Sequence, residues 1–387
     1  MKYGEGSETS TFTVGSVLLS ITGDVAARLA VERQMDPLVP HAEATRHPDV
    51  AVSVMPPGAA QPAFEDVLNP SRDGTVTAWD GARAYLLDGD GWCSLPAPSG
   101  GDDLEIECSN DFPPAMLMTA VVRPAMQIAM LRRRSCAVHS AAMAFGRTGV
   151  LIAGWSETGK TETALALGEE GARFVSDKWT CLGSDRTLTP FPISVGIRRW
   201  VVPYLPTLQS RLPRIARVQL WVAGMIDALA RPVRKASGRG VVPRRAVAAV
   251  DRVTALADRA ALRQSTLQDV YGGDGTVDEA PRLGLLVLLS TGSAAGVSVH
   301  EVDARFAARR LARSASYERR SFFDLQERAR YSLMDADGDT DADTRRRTEA
   351  IEEAFLLETL APVPIVDVRT PFPVDPRRVT SALEPWL

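Results

Sequence analysis

The sequence contains little cysteine, and its few cysteines are widely separated: Cys93, Cys108, Cys136 and Cys181. None of them forms a Cys-x-x-Cys pair, and their spacing does not resemble a dense disulfide framework, which argues against a zinc site and against a disulfide-stabilised domain. We therefore expect the cysteines to be reduced and the protein to be cytoplasmic.

Long apolar runs and a strong net charge are also missing. No run of about 18 or more apolar residues occurs, so no membrane-spanning helix is expected. The first residues lack a basic stretch followed by a continuous apolar one, so no secretory signal is expected. The formal net charge is -4, which provides no general attraction to nucleic acid or to a membrane, and we expect neither as a partner.

Lysine is scarce as well. Arginine supplies most of the 44 basic positions, and lysine occurs only at Lys2, Lys160, Lys178 and Lys235. Two of these four lysines fall in one short segment, which draws attention to the residues around them.

The 387 residues are enough for two or three compact domains with ordinary cores. Short alternating strands separated by turns predict a β-rich N-terminal domain over residues 1–110, with one helix in "AARLAVERQM". Helical spacing predicts a connecting helix over 111–135, and strand-helix alternation predicts an α/β domain over 136–387. Within the latter, an arginine- and alanine-rich helical insertion extends over about 207–272, broken by "SGRGVVPRR", and "APVPIVDVRTPFPVD" is expected to be an edge strand.

The segment "GVLIAGWSETGKTETALAL" matches the phosphate-binding pattern G-x-x-x-x-G-K-[ST], flanked by a strand and a helix as that pattern requires. Glycines let successive amides face a polyphosphate, and the helix N-terminus adds a positive pole. We expect the lysine to contact the β- and γ-phosphates of ATP and the threonine hydroxyl to bind Mg²⁺. The predicted nucleotide-binding residues are Gly154, Trp155, Ser156, Glu157, Thr158, Gly159, Lys160, Thr161 and Glu162.

Two other interpretations of this loop stay open. It fits less well as a plain turn between strand and helix, since such a turn requires neither the lysine nor the threonine. It could also bind a nucleotide without turnover, and the unusual Trp155 and Glu157 keep that interpretation open.

Neighbouring residues would supply the chemistry. Asp177 ends an apolar run and is a candidate general base or Mg²⁺ ligand, or else a turn-forming aspartate. Glu162 is either a second carboxylate near the metal or an ordinary first-turn glutamate. Lys178 would stabilise charge on the transferred group, or be solvated. His139 precedes the loop by one strand, and is either a catalytic neighbour or a packed histidine.

The stretch "VHSAAMAFGRTGVLIAGWSETGKTETALAL", followed by "GARFVSDKW", resembles the C-terminal domain of HPr kinase/phosphorylase and its relatives, whose fold is akin to phosphoenolpyruvate carboxykinase. The resemblance implies an α/β P-loop fold, a mixed sheet with flanking helices. It also implies that Asp177 is the catalytic base with His139 nearby, and that Thr161 and Glu162 lie near Mg²⁺. The matching residues are His139, Gly154, Ser156, Gly159, Lys160, Thr161, Glu162 and Asp177.

Two departures from that family pattern stand out. Lys178 replaces the second of a pair of aspartates, which argues against the phosphorylase reaction, and Glu157 replaces a glycine. The expected protein is thus an ATP- and Mg²⁺-dependent kinase acting on a hydroxyl of a small molecule or peptide. A nucleotide-binding regulatory module and a carboxykinase-like phosphotransfer enzyme are the alternatives, and a homo-oligomer is compatible with either.

Two further segments carry weaker expectations. The basic stretch Arg305 to Arg330 either contributes arginines to phosphate or an anionic substrate, or forms an exposed charged helix face. The acidic segment "MDADGDTDADTRR" resembles a calcium loop only superficially, because its glycine and terminal glutamate are out of register, so a solvated loop is expected.

Overall fold

The computed structural model describes residues 7–35, 46–68, 76–96, 104–237, 259–272, 279–293, 296–331, 341–371 and 373–387. Over these residues the chain is a mixed α/β protein with four sheets. The "SGRGVVPRR" break after Ser237 and residues 334–340 of the acidic segment lie outside the described residues.

The first sheet contains eight strands in the order β1-β2-β3-β8-β7-β6-β5-β4. Where one face meets the core, buried residues alternate with more accessible ones, as in β3 and β8. The helix predicted in "AARLAVERQM" is confirmed as α1 (Val25–Glu32), whose first turn is capped by the side chain of Asp24. The strands are β1 (Glu8–Val14), β2 (Val17–Gly23), β3 (Val50–Val54), β4 (Asp66–Leu68), β5 (Val76–Trp79), β6 (Ala84–Asp88), β7 (Gly91–Leu95) and β8 (Leu104–Cys108).

A long helical stretch follows the first sheet. It consists of α2 (Pro114–Met116), a π-helical part (Leu117–Val122) and α3 (Arg123–Arg132). By length and composition Pro114–Arg132 could cross a membrane, but 67% of its apolar window is buried inside the protein. It therefore packs as a core helix of a globular protein does, between the first sheet and the remainder of the chain.

The second sheet has six strands in the order β12-β10-β11-β17-β19-β18, in which β11, β17 and β19 are parallel. These strands are β10 (Ser140–Phe145), β11 (Thr148–Gly154), β12 (Arg173–Ser176), β17 (Arg282–Thr291), β18 (Ser298–Glu301) and β19 (Ile365–Thr370). The expectation that "APVPIVDVRTPFPVD" forms an edge strand is wrong. Its strand, β19, lies between β17 and β18. Its apolar alternation cannot distinguish an edge from an interior position.

Helices cover both faces of the six-stranded sheet. Alternate residues of β11 and β17 belong to two different cores, which explains why both strands are apolar throughout. One core includes α4 (Lys160–Glu169), α5 (Pro206–Arg211), α6 (Arg214–Ser237), α7 (Gln264–Tyr271) and α11 (Pro376–Leu383). The other includes α8 (Ala304–Glu318) and α10 (Asp341–Leu360), while α9 (Arg320–Tyr331) contributes to the core of the first sheet.

Two small sheets complete the fold. β14 (Leu188–Pro190), β13 (Thr180–Gly183) and β9 (Ser135–Val138) form one, and β15 (Val195–Arg198) pairs with β16 (Arg259–Leu262) in the other. β16 lies within the segment expected to be helical, so that insertion contains a strand as well as helices.

The chain passes from one sheet to another at two places, and these two places match in strand register. β9 and β10 belong to different sheets and are separated by His139, and β12 and β13 are separated by residues 177–179. In register, Val138 faces Thr180 on one side of the split and Ala142 faces Ser176 on the other. His139 and Asp177 therefore both lie where the two antiparallel pairs diverge.

Candidate active site

The phosphate-binding pattern forms the turn between β11 and α4. Gly159, at the N-terminus of α4, has φ +94°, a left-handed conformation that glycine adopts without steric cost. At Gly154 a Cβ atom would come within 2.5 Å of the Leu289 carbonyl oxygen and 2.7 Å of Thr158 Oγ1. Both glycines of the pattern are thus required by the backbone, one for its dihedral angle and one for close packing against β17.

Lys160 is buried and turns back onto the loop. Its Nζ donates to the carbonyl oxygens of Gly154 at 2.9 Å and Trp155 at 2.8 Å. Burial lowers the pKa of this ammonium, while nearby carboxylates, Asp177 first among them, oppose the shift. The lysine is therefore held inside the loop, with its charge available where the pattern places phosphate oxygens.

Asp177 is fully enclosed and contacts the helix that follows the loop. Its Oδ2 accepts a hydrogen bond from Thr161 Oγ1 at 2.7 Å, and its Oδ1 accepts from the Lys178 backbone N–H at 2.7 Å. Burial raises the pKa of Asp177 to about 6, against the effect of these two hydrogen bonds. A carboxyl group with this pKa is suited to take up a proton near neutral pH.

Glu162 follows Thr161 in α4 and is also buried. Burial raises the pKa of its carboxyl, and the positive charges of Arg198, Lys160 and Arg259 act in the opposite direction. Together with the Thr161 hydroxyl and Asp177, it provides a set of oxygen donors of the kind that Mg²⁺ prefers. Among the residues that the structure describes, no group of three or more His, Cys, Asp or Glu side chains could hold a metal ion.

His139 packs against the same region. Its ring stacks on that of Trp179, with centroids 5.1 Å apart, and its Nδ1 lies 3.3 Å from Glu318 Oε1 in a direction unfavourable for a hydrogen bond. Burial lowers the pKa of His139, although Glu318 acts to raise it. The imidazole is therefore favoured in its neutral form at the wall of the site.

Lys178 has φ +69°, which is rare for a residue with a side chain. Its side chain is exposed at the mouth of the site, yet desolvation on the side facing the protein and the positive charge of Arg123 lower its pKa. The left-handed backbone turns Asp177 and Lys178 in different directions, so that one is enclosed and the other reaches solvent.

These residues line one cleft of about 510 Å³. Four cationic side chains and three carboxylates face it, an arrangement suited to a bound polyphosphate. The lining residues are His139, Ser156, Glu157, Gly159, Lys160, Thr161, Glu162, Asp177, Lys178, Ser194, Gly196, Arg198, Arg259 and Ala261. Three of the predicted residues, Gly154, Trp155 and Thr158, belong to the loop but do not line this cleft.

The two unusual loop residues have defined partners. The Trp155 ring is 49% exposed and lies 4.6 Å from that of Tyr317, centroid to centroid, and Arg320 stacks on Tyr317 at 4.1 Å. Glu157 forms ion pairs with Arg198 and Arg259 across the cleft.

The basic stretch 305–330 does not supply arginines to the cleft, so far as its side chains are described. Its arginines pair with acidic residues elsewhere, as Arg310 does with Asp367, and the helix turns Glu318 toward His139 instead. Sequence reasoning missed Arg198, Arg259 and Glu318, and no local pattern identifies them, because each reaches the site through tertiary packing.

Comparison of the sequence with protein-family models finds no match, and comparison with curated proteins finds none either.

Proposed function

We propose that this protein is an ATP- and Mg²⁺-dependent phosphotransferase acting on a hydroxyl group of a small molecule or peptide in the cytoplasm, with a P-loop fold like that of HPr kinase. The hydrogen bond between Asp177 and Thr161 carries this proposal. It joins the residue expected to act as base to the threonine expected to bind the metal. The fold assignment is supported by the parallel strands β11 and β17 beside the loop and by His139 and Asp177 at the sheet split.

In the proposed reaction, Asp177 accepts the proton of the substrate hydroxyl while the oxygen of that hydroxyl forms a bond to the γ-phosphorus. The bond between the γ-phosphorus and the bridging oxygen to the β-phosphate breaks, and ADP leaves with that electron pair. Thr161, Glu162 and Asp177 are the residues that would hold Mg²⁺, which supplies charge neutralisation on the phosphates when bound.

Other side chains would orient and stabilise the reacting groups. Lys160 binds β- and γ-phosphate oxygens after exchanging its loop carbonyl partners for them. Lys178, at the exposed mouth, balances the charge on the transferred group. His139, stacked on buried Trp179, borders the cleft with its ring and limits water access beside the base.

Nucleotide binding without turnover is the second candidate. The ion pairs of Glu157 favour it, because they engage Arg198 and Arg259, two cationic groups of the cleft that could otherwise stabilise the transferred phosphoryl group. Incubation with ATP, Mg²⁺ and a panel of hydroxyl compounds and peptides, read by mass spectrometry, separates the two. If the protein is a kinase, the mass of an acceptor should increase by one phosphoryl group. If it is a binding module, only nucleotide binding should be detected.

Matched variants identify the base. Asp177→Asn should reduce transfer by about two to four orders of magnitude, the range for loss of a general base. Asp185→Asn, in an exposed turn where the aspartate bonds Thr187, should leave transfer unchanged. Unchanged transfer in Asp177→Asn would contradict the assignment of the base. Unchanged nucleotide affinity in Lys160→Ala would contradict the assignment of this loop as phosphate-binding.

A further inference from the structure

Two arginines face each other across the small β15–β16 pair. Arg198 and Arg259 are direct partners in the antiparallel register. Like charges in this position repel each other and destabilise the strand pair. An anion between the two guanidinium groups relieves this repulsion.

Glu157 supplies that anion from the phosphate-binding loop. A single oxygen, Oε1, accepts from Arg198 Nη2 at 2.5 Å and from Arg259 Nη2 at 3.1 Å. The Glu157 side chain is 62% exposed, whereas that of Arg198 is 20% exposed. Arg198 is thus the more enclosed partner, whereas Arg259, at 48%, is almost as exposed as the glutamate.

The backbone of Glu157 is also unusual. Its φ is +66°, a left-handed conformation that is rare for a residue with a Cβ. In this conformation its carboxylate reaches both arginines.

Both arginines line the cleft together with Lys178 and Thr161. Guanidinium groups bind phosphate and carboxylate oxygens through directed, charge-assisted hydrogen bonds, and two of them at facing positions of paired strands present donors to the same point. A ligand oxyanion at this point would meet the same donors that Glu157 now uses.

We propose that Arg198 and Arg259 form an oxyanion-binding site in the cleft, which Glu157 occupies as an internal ligand until a phosphate or carboxylate of a substrate displaces it. The inference rests on the proposed function only for the source of that oxyanion. The source is either the terminal phosphate of the nucleotide or an anionic group on the acceptor.

The test uses inorganic phosphate as the probe, with binding measured by isothermal titration calorimetry on the full chain. Glu157→Gln should bind phosphate about fivefold more tightly than wild type, because a competing exposed ion pair of less than about 1 kcal/mol is removed. Adding Arg198→Gln and Arg259→Gln to that variant should abolish the gain. Adding Arg263→Gln, an exposed arginine just beyond β16, should preserve it.

An affinity of Glu157→Gln within the error of wild type would overturn the proposal, as would a gain that persists without the two arginines, since phosphate would then be binding to other groups. Phosphate binding needs neither ATP nor turnover, so the result stands even where no phosphoryl transfer is found. Saturation with a non-hydrolysable ATP analogue and Mg²⁺ identifies the source, because the analogue fills the terminal-phosphate position, which ADP would leave open. Phosphate binding that persists indicates the acceptor side, and competition indicates the terminal-phosphate position.

Discussion

The ionisation of Asp177 should govern how the proposed reaction depends on pH. Burial raises its pKa to about 6, and a general base must be ionised to act. We expect kcat/KM to increase as the pH rises through about 6 and to level off above it. A pH profile measured once an acceptor is known checks this expectation.

Asp185→Asn serves as the control for that profile, because this exposed aspartate does not line the cleft. Its rising limb should coincide with that of wild type. A limb centred near the ordinary aspartate value of 3.8 would show that Asp177 is not held in the environment described.

The same ionisation affects stability. The folded-state pKa of Asp177 is about 6 and its ordinary value is 3.8, so the unfolded chain releases this proton at lower pH. The contribution of Asp177 to the free energy of unfolding therefore decreases as the pH rises from about 4 to about 6, by about 3 kcal/mol in all.

Asp177→Asn cannot ionise and should lack this decrease. Urea denaturation at about pH 4 and about pH 7 should show the variant gaining stability relative to wild type at the higher pH. An unchanged difference between the two proteins at both pH values would contradict the elevated pKa.

At the scale of single elements, the turn from β11 into α4 depends on Gly159. Alanine there must adopt φ +94° at the helix N-terminus, at a cost on the order of 1–2 kcal/mol, and relief of that strain displaces the loop amides. Gly159→Ala should therefore weaken ATP binding at least tenfold, about 1.4 kcal/mol, as measured by calorimetry.

Gly171→Ala is a matched control, because Gly171 has φ +95° and nothing within 4 Å of an added Cβ. It should lower the melting temperature about as much as Gly159→Ala does, and it should leave ATP affinity unchanged. Equal losses of affinity in both variants would mean that the effect of Gly159→Ala is general destabilisation.

The strand–loop–helix unit was predictable because its pattern is local: an apolar run, glycines at fixed spacing, and a helix. The two places at which the chain passes from one sheet to another were not predictable. The run "CAVHSAAMAF" is apolar on both sides of His139, and a change of sheet at that point depends on which strand pairs with which. Arg259 reaches Glu157 from 102 residues away, which no spacing rule anticipates.

At the scale of the whole molecule, one apolar core joins the first sheet to the site. It contains the inner strands of that sheet and α3, and it also contains Trp179, on which His139 stacks, and Phe322 of α9. The sequence pattern divides the chain near residue 110, because hydropathy reports which residues are apolar and not which apolar faces meet.

The helical layer behind the site depends on a buried ion pair. Arg319, next to Glu318, pairs with Glu352 of α10, and each side chain is only 1% exposed. Removing one partner leaves the other charge unpaired in the interior, so Arg319→Leu should lower the free energy of unfolding by about 3–5 kcal/mol. Arg319→Leu with Glu352→Leu should recover most of that loss, since no charge is then left buried.

Urea denaturation of these variants can be set against Arg134→Leu, which breaks the exposed pair with Glu358, both side chains being about two-thirds exposed. That control should unfold like wild type. Burial already raises the pKa of Glu352, and Arg319 lowers it, so Arg319→Leu should raise this pKa further. The carboxyl group then takes up a proton more readily in the folded state, and the destabilisation should be smaller in mild acid than above neutral pH. A loss independent of pH, or a double variant no more stable than Arg319→Leu, would show that packing rather than charge pairing holds the end of α8 against α10.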